Sequence, residues 1–259
     1  MCGIFAYIGE QPLKLTTVIS ILKELEEDQL SVDTSPVGGH GAGIAVVQDG
    51  EIYLSKVGRK GSESPAENLL KNISGSWRFN EAKIIVGHVR RASKQFQQTI
   101  PYSECTQPYL TRCTGRYSII SVHNGFLKNY MELLRDFQLK HIFESEKVVL
   151  IDSEIFPHLM EELLFKYEDK EKIENILFDK IEGNNTVLLL VCKKLCKEVY
   201  VLHKGATRGL YVWRNNRNLL LCSRRHIVER HLHELASKLE RVVEIKPRVA
   251  DNLVFHLKL

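Results

Sequence analysis

Several features of other protein classes are scarce or missing in this 259-residue chain. No apolar run reaches the roughly 18–20 residues that a membrane-spanning helix needs. The N-terminus lacks the basic region and apolar stretch of a secretory signal peptide. The formal net charge is only +4, and the basic residues are dispersed rather than clustered as a nucleic-acid surface requires. These absences argue against a membrane or nucleic-acid partner and make the cytoplasm the expected location.

Cysteine is also sparse, with six residues in the whole chain. No two of them have the C-x2-C spacing of common zinc sites, so we expect no metal, and we expect no cofactor. We interpret Cys192 and Cys196 as strand or turn residues. A disulfide between Cys105 and Cys113 is left open.

The composition, 44% hydrophobic and 26% charged, is that of an ordinary globular protein. No linker-like stretch interrupts the chain, and we expect residues 1–259 to form a single domain. Apolar runs of strand length and segments of helical spacing predict the following elements. Strands are predicted at 1–9, 44–47, 51–54, 83–89, 117–123, 186–191, 198–202, 210–213, 219–222, 242–245 and 253–257. Helices are predicted at 13–30, 65–73, 126–137, 152–166, 168–181 and 224–239.

The connections carry their own signals. Asp49-Gly50 between two apolar runs predicts a hairpin, and residues 215–218 fit the tip of another. Residues 35–43 form a glycine-rich turn. Residues 94–116 are polar without clear periodicity and predict a long surface loop. Strands in two groups around a block of helices indicate an α+β fold with antiparallel sheets.

Cys2 has two interpretations. It could be a small residue that starts a buried strand, which the local pattern favours. Alternatively, removal of Met1 would give Cys2 a free α-amine beside its thiol. The ordinary pKa of such an amine, about 7.7–8.0, and that of a thiol, about 8.5, would let the amine act as the base for the sulfur nucleophile.

Three strand ends carry polar residues that could complete such a site. Asn124-Gly125 offers two N–H donors for an oxyanion, although the same pair is a common turn. Arg90 could hold a carboxylate bidentately or could be an exposed charge. Asp152 could receive an ammonium group, but its position favours a helix cap. His88 and His123 are interpreted as packed strand residues.

Six motifs, taken together and in this order, resemble the class II glutamine amidotransferases, which are N-terminal-nucleophile (Ntn) hydrolases. The motifs are MCGIFAYIG, GAGIAVV, GHVRRAS, QPY, VHNG and DSEIF. Similar amidase domains occur in glucosamine-6-phosphate synthase and amidophosphoribosyltransferase. The resemblance covers nearly the whole chain and implies a four-layer αββα sandwich of two antiparallel sheets.

The resemblance also implies roles for individual residues. Cys2 would be the nucleophile, with Asn124 and Gly125 as the oxyanion hole. Arg90 would bind the α-carboxylate of glutamine, Asp152 its α-amino group, and Ser93 would line the pocket. The partner is then a separate ammonia-acceptor synthase subunit unless the protein is simply a glutaminase, and both this choice and a homodimer are left open.

The chain departs from the family pattern at three places. Residues 37–40 (VGGH) stand where the family often has Arg-Gly and a polar pair, Arg91 replaces an aromatic residue, and Lys94 replaces a histidine. These changes concern contacts around the site rather than the nucleophile. Two alternatives remain open, namely hydrolysis of another acyl amide and a non-catalytic interaction subunit that would keep Met1.

Overall fold

The computed structural model describes residues 2–31, 36, 38–193 and 197–258. The strands within these residues are β1 (Gly3–Lys14), β2 (Gly41–Gln48), β3 (Glu51–Gly58), β4 (Glu81–Arg90), β5 (Tyr109–Thr111), β6 (Ser118–Gly125), β7 (Asn185–Cys192), β8 (Lys197–Ala206), β9 (Leu210–Arg214), β10 (Leu219–Cys222), β11 (Glu240–Ile245) and β12 (Ala250–Lys258). The helices are α1 (Leu15–Glu27), α2 (Pro65–Ser76), α3 (Tyr130–Arg135), α4 (Ile155–Lys166), α5 (Lys170–Lys180), α6 (Arg225–His231) and α7 (His233–Ala236).

The strands form two sheets in which every pair is antiparallel. Sheet A has the order β11-β9-β10-β1-β4-β2-β3, and sheet B has the order β12-β8-β7-β6-β5. Helices α1, α2, α6 and α7 pack on the outer face of sheet A, and α3, α4 and α5 pack on the outer face of sheet B. A third apolar core fills the space between the sheets. The predicted αββα sandwich is therefore confirmed.

The central strands are buried on both faces, which explains their continuous apolar runs. Phe5 and Tyr7 of β1 join the core under the helices, while Ile4 and Ala6 point between the sheets. Strand β6 follows the same period of two, with Ile120 and Val122 on its inter-sheet side.

The predicted hairpin at Asp49-Gly50 is confirmed. Gln48 pairs with Glu51, so the loop has two residues, and both have positive φ, 51° for Asp49 and 83° for Gly50. This is the backbone that a type I′ turn requires. The hairpin tip at 215–218 is also confirmed, since it joins β9 to β10. Part of the predicted turn at 35–43 lies outside the described residues.

The prediction of a surface loop at 94–116 was wrong. The segment contains two 3₁₀ turns (Lys94–Thr99 and Ser103–Cys105) and strand β5, and Cys105 and Tyr109 are buried. It crosses sheet A so closely that a Cβ on Gly43 would lie 2.2 Å from the carbonyl oxygen of Gln107. Its burial comes from packing against distant strands, which local periodicity does not record.

Three helix predictions needed smaller corrections. The helix predicted at 126–137 begins only at Tyr130, because Phe126 and Lys128 donate backbone hydrogen bonds to the segment 182–184 instead. The helix predicted at 224–239 is divided into α6 and α7 at Leu232, whose φ and ψ are −134° and 34°. The helix predicted at 152–166 opens with a 3₁₀ turn, and Pro157 lies in the first turn of α4 as expected.

Cys105 and Cys113 are both free thiols, so the disulfide left open between them does not form. Cys192 ends β7, as interpreted, and Cys196 lies outside the described residues. No helix in the described part of the chain is long and apolar enough to cross a membrane.

Candidate active site

The candidate site lies where three inter-sheet strand faces end together. Cys2 precedes β1 in the same period-two register as Ile4 and Ala6, which point between the sheets. Asn124 continues the inter-sheet face of β6. Arg90 is the last residue of β4, the neighbour of β1 in sheet A. On these faces Cys2 precedes the apolar residues of β1, whereas Arg90 and Asn124 come after those of β4 and β6.

Cys2 is held by the chain that leaves β4. The backbone N–H of Arg91 donates to its Sγ at 3.3 Å, and Sγ lies 3.7 Å from the carbonyl oxygen of Arg91. On the other side of β1, the backbone N–H of Ile4 donates to Ser223 Oγ at 3.1 Å. Cys2 is 9% exposed, so the thiol is shielded but lines a cavity.

Two adjoining cavities contain all six predicted site residues. The first, here called the Asn124 cavity, includes Cys2, Ser93, Asn124, Gly125, Lys128 and Arg208 among its lining residues. The second, the Asp152 cavity, includes Cys2, Arg90, Ser93, Gln107, Gly125 and Asp152. Cys2, Ser93 and Gly125 line both. The geometry thus brings the predicted residues together.

Asn124 is an exception to the rule that buried polar groups are paired. Its side chain is 1% exposed, and neither Nδ2 nor Oδ1 has a hydrogen-bond partner in the described chain. Leaving such a group unsatisfied costs about 1–3 kcal/mol. Asn124 Nδ2 is therefore available to donate a hydrogen bond to a ligand in the cavity that it shares with Cys2.

Gly125 is required by its backbone. Its φ is +138°, and a Cβ at this position would lie 1.9 Å from the carbonyl oxygen of Asn184. Asn124 and Gly125 are not a free turn, since they pair with Thr186 and Asn185 at the end of β6. The pair therefore has the fixed geometry that an oxyanion hole needs.

The backbone just before Asn124 is fixed by a residue that our assignment of site residues missed. Gln107 donates through Nε2 to the carbonyl oxygen of His123 at 3.1 Å and accepts the His123 N–H through Oε1. His88 Nε2 lies 3.2 Å from the same carbonyl oxygen. Gln107 belongs to the QPY motif, which was the available signal.

Both histidines are packed, as interpreted. His88 and His123 are 0% and 1% exposed, and burial lowers the pKa of each to about 3. His123 lies 2.8 Å from Ser153 Oγ and 2.9 Å from Asn185 Oδ1. Neutral imidazoles with these bonds hold β6 in place.

Arg90 is buried rather than an exposed strand end. Its guanidinium donates to the carbonyl oxygen of Thr99 at 3.2 Å and to the Thr99 hydroxyl. Thr99 was missed because it lies in the segment predicted to be a surface loop. A guanidinium oriented by two bonds and lining a cavity has further donors for a carboxylate.

Asp152 does not cap a helix as its local sequence suggested. It lies within the 3₁₀ turn that precedes α4, and its Oδ2 accepts the backbone N–H of Leu127 at 2.9 Å. Burial raises the pKa of this carboxyl to about 7, partly opposed by that hydrogen bond and by Arg90. A buried carboxylate beside a cavity is suited to receive a cation.

His40 stands at one of the departures from the family pattern. Its ring Nδ1 accepts the backbone N–H of Ala92 at 3.1 Å, and the backbone N–H of His40 donates to the carbonyl oxygen of Arg90. Burial, together with the charge of Arg91, lowers its pKa to about 4. A neutral His40 thus fixes the backbone on both sides of Arg91, the residue that holds Cys2.

Comparison with solved structures identifies the fold. An allosteric regulatory enzyme of purine biosynthesis superposes over 95% of this chain with a TM-score of 0.61 and 19% identity, covering 45% of that chain. The glutamine phosphoribosylpyrophosphate amidotransferase of B. subtilis does so over 95% with a TM-score of 0.58 and 18% identity, covering 46% of it. Over the matched region, the chain has the fold of these two enzymes.

Sequence comparison gives the nearer relationship. The chain is 35% identical over 168 residues to the glutamine–fructose-6-phosphate aminotransferase (isomerizing) of Pyrococcus horikoshii, covering 63% of this chain and 23% of that protein. It is 28% identical over 194 residues to that of Sulfolobus acidocaldarius, covering 74% and 28%. The chain therefore resembles the class II glutamine amidotransferase domain of these enzymes and spans about a quarter of their length. No protein-family model matches it.

Proposed function

We propose that this chain hydrolyses the side-chain amide of glutamine, with Cys2 as an N-terminal nucleophile. The observation that carries the proposal is the buried amide of Asn124, which has no partner among the described residues, in the cavity that Cys2 lines. Removal of Met1 would leave the α-amine of Cys2 beside its thiol. That amine takes the thiol proton, directly or through one water, and no histidine is needed as base.

The reaction proceeds in two stages. The thiolate attacks the amide carbon, and Asn124 Nδ2 and the N–H of Gly125 stabilise the tetrahedral oxyanion. The C–N bond breaks, ammonia leaves with the proton returned by the α-ammonium, and a γ-glutamyl thioester remains. Water then adds to the thioester, releasing glutamate and restoring the thiol.

Recognition of free glutamine follows from charge. Arg90 would bind the α-carboxylate and Asp152 the α-ammonium, while Ser93 lines both cavities. The pKa of about 7 for Asp152 belongs to the protein without ligand. A bound ammonium favours the ionised carboxylate, so glutamine binding would lower that pKa.

The ammonia is proposed to serve a separate acceptor synthase. The relatives are aminotransferases roughly four times as long as the matched region, and the described elements all belong to the αββα sandwich. The acceptor would then lie outside these 259 residues. The cytoplasmic location and the homodimer stay predictions.

The test is a glutaminase assay on matched cysteine variants. We expect the wild-type chain to release glutamate from glutamine, Cys2→Ala to be inactive, and Cys192→Ala, at the far end of β7, to retain activity. Faster cleavage of N-acyl amides than of glutamine would favour the acyl-amide alternative. An inactive wild-type chain that keeps Met1 would favour the non-catalytic subunit.

A further inference from the structure

A second cluster of polar side chains lies outside both cavities. Cys113, His141, His158 and Glu161 each offer one donor atom, and these four atoms all lie within 4.8 Å of one another. Cys113 follows β5, His141 lies between α3 and the 3₁₀ turn Ser145–Lys147, and His158 and Glu161 are one helical turn apart on α4. Three separate segments therefore converge.

Of three donor–donor distances in the cluster, two match those of a tetrahedral metal site and the third is shorter. Metal–ligand bonds of about 2.0–2.3 Å place neighbouring donors about 3.3–3.8 Å apart. His158 Nδ1 lies 3.8 Å from Cys113 Sγ and 3.0 Å from His141 Nδ1. His141 Nδ1 lies 3.5 Å from Glu161 Oε2.

Other groups aim the donors into the cluster. His141 Nε2 lies 3.2 Å from Glu162 Oε1, the carboxylate–histidine pairing that orients metal-binding imidazoles. Glu161 accepts the N–H and the hydroxyl of Thr114 through Oε1, both at 2.7 Å, which leaves Oε2 toward the cluster. The side chains of His141 and Glu161 are 2% and 0% exposed.

The donor atoms of the cluster lie close enough together that either shared protons or a cation must stand between them. Thr111 Oγ1 has a single proton but lies 3.3 Å from Cys113 Sγ, 3.1 Å from His158 Nδ1 and 3.0 Å from Glu161 Oε2. The two histidine Nδ1 atoms also face each other at 3.0 Å. One cation would satisfy all four donors at once.

We propose that Cys113, His141, His158 and Glu161 bind a zinc-class divalent cation. One thiolate, two imidazoles and one carboxylate favour zinc over magnesium or calcium, which prefer oxygen ligands. Four protein ligands leave no open position, so the site is structural. The metal would link the chain after β5 and the segment 136–144 to α4, through Cys113, His141 and the two ligands on α4. The sequence predicted no metal because ligands from three segments have no diagnostic spacing.

The site is tested with zinc and with cobalt(II) as a spectroscopic probe, on the full chain. We expect one zinc per chain after dialysis and, with cobalt, a thiolate-to-metal charge-transfer band. Cys113→Ser should lose that band. Cys192→Ser should keep the band, because Cys192 is a half-buried cysteine outside the cluster. Cys2→Ala should keep it too, and a retained band in that variant excludes cobalt chelation by the N-terminal cysteine.

A second variant probes the ligand geometry. Glu162→Gln retains an oxygen to accept the backbone N–H groups of Gln138 and Leu139 but removes the carboxylate that orients His141. It should weaken zinc binding about 10–100-fold. Absence of stoichiometric zinc, or a cobalt band unchanged in Cys113→Ser, would overturn the proposal and identify the cluster as hydrogen-bonded only. Neither readout depends on glutamine hydrolysis.

Discussion

Asn124 and Ser121 are both buried on β6 without hydrogen-bond partners in the described chain, but they lie on opposite faces of the strand. If Asn124 Nδ2 stabilises the oxyanion, Asn124→Ala should lower kcat about 100- to 1000-fold. KM for glutamine should change little, because the contact forms in the transition state. Steady-state glutaminase kinetics measure both constants.

Ser121→Ala is the matched control for that variant. It removes an equally buried and unpartnered polar atom from the face away from Cys2, and it should keep full activity. Neither substitution removes a hydrogen bond, and each relieves an unsatisfied buried polar group, so neither should lower the free energy of unfolding substantially. Full glutaminase activity in Asn124→Ala would remove this residue from the oxyanion hole.

Asp152 should make stability depend on pH. Its folded pKa of about 7 lies above the ordinary value of 3.8, so its stabilising contribution is complete below about pH 4 and is lost as pH rises through 7. Asparagine does not ionise. The stability of Asp152→Asn relative to wild type should therefore increase from pH 5 to pH 8.

Urea unfolding at the two pH values measures that difference, and a difference independent of pH would contradict the assignment of this carboxyl. In the glutaminase assay, Asp152→Asn should lose most of its kcat/KM for glutamine, because the neutral amide cannot pair with the α-ammonium. A variant that is more stable at pH 8 yet poorly active would show that the buried carboxylate lowers stability while serving activity.

The six proposed site residues were selected through their motifs, but the residues that hold them in place were not. Gln107 and Thr99 fix His123 and Arg90 through contacts across 16 and 9 residues of sequence. No local spacing connects such pairs. The helix cap suggested for Asp152 was wrong for a related reason, since its partner Leu127 lies 25 residues away.

Among the elements, α1 and β4 are joined by an unusually close contact. A Cβ on Gly87 would lie 3.0 Å from Leu22 Cδ2, and Leu22 is fully buried. Leu22→Ala should cost about 2–5 kcal/mol of unfolding free energy, and Gly87→Ala should also destabilise by overpacking. The double variant should cost less than the sum, because the shortened side chain makes room for the new methyl.

A double-mutant cycle in urea measures this coupling. Strict additivity of the two free-energy changes would mean that Leu22 does not contact the Gly87 position in solution. Both residues lie at the contact between α1 and sheet A and line neither cavity. Activity per folded molecule should therefore persist in the single variants.

Periodic elements were predictable and context-dependent ones were not. Helices α1, α2, α4 and α5 and the hairpin at Asp49-Gly50 carry signals within a few residues of themselves. The 94–116 segment is polar in sequence, yet its residues 105–109 are buried, where the chain packs against Gly43 and pairs with β6. The division between α6 and α7 at Leu232 likewise has no local glycine or proline signal.

At the scale of the whole molecule, the site is a consequence of two sheets packed face to face. The inter-sheet faces of β1, β4 and β6 end in polar residues at one end of the sandwich, so a thiol, a guanidinium and an amide meet beside the apolar core between the sheets. The antiparallel α+β class followed from the order of elements. The packing of the sheets into an αββα sandwich could be predicted only from the family resemblance, because the hydrophobic periodicity of a strand does not determine its neighbours in a sheet.

The central claim is that the mature chain begins with Cys2 as its nucleophile. Intact mass and peptide mapping after reaction with 6-diazo-5-oxo-norleucine, a glutamine-mimicking electrophile, test it most directly. We predict a chain without Met1 that carries one adduct, located on Cys2, with glutamine slowing the labelling. A chain that retains Met1, or an adduct on another cysteine, would contradict the account.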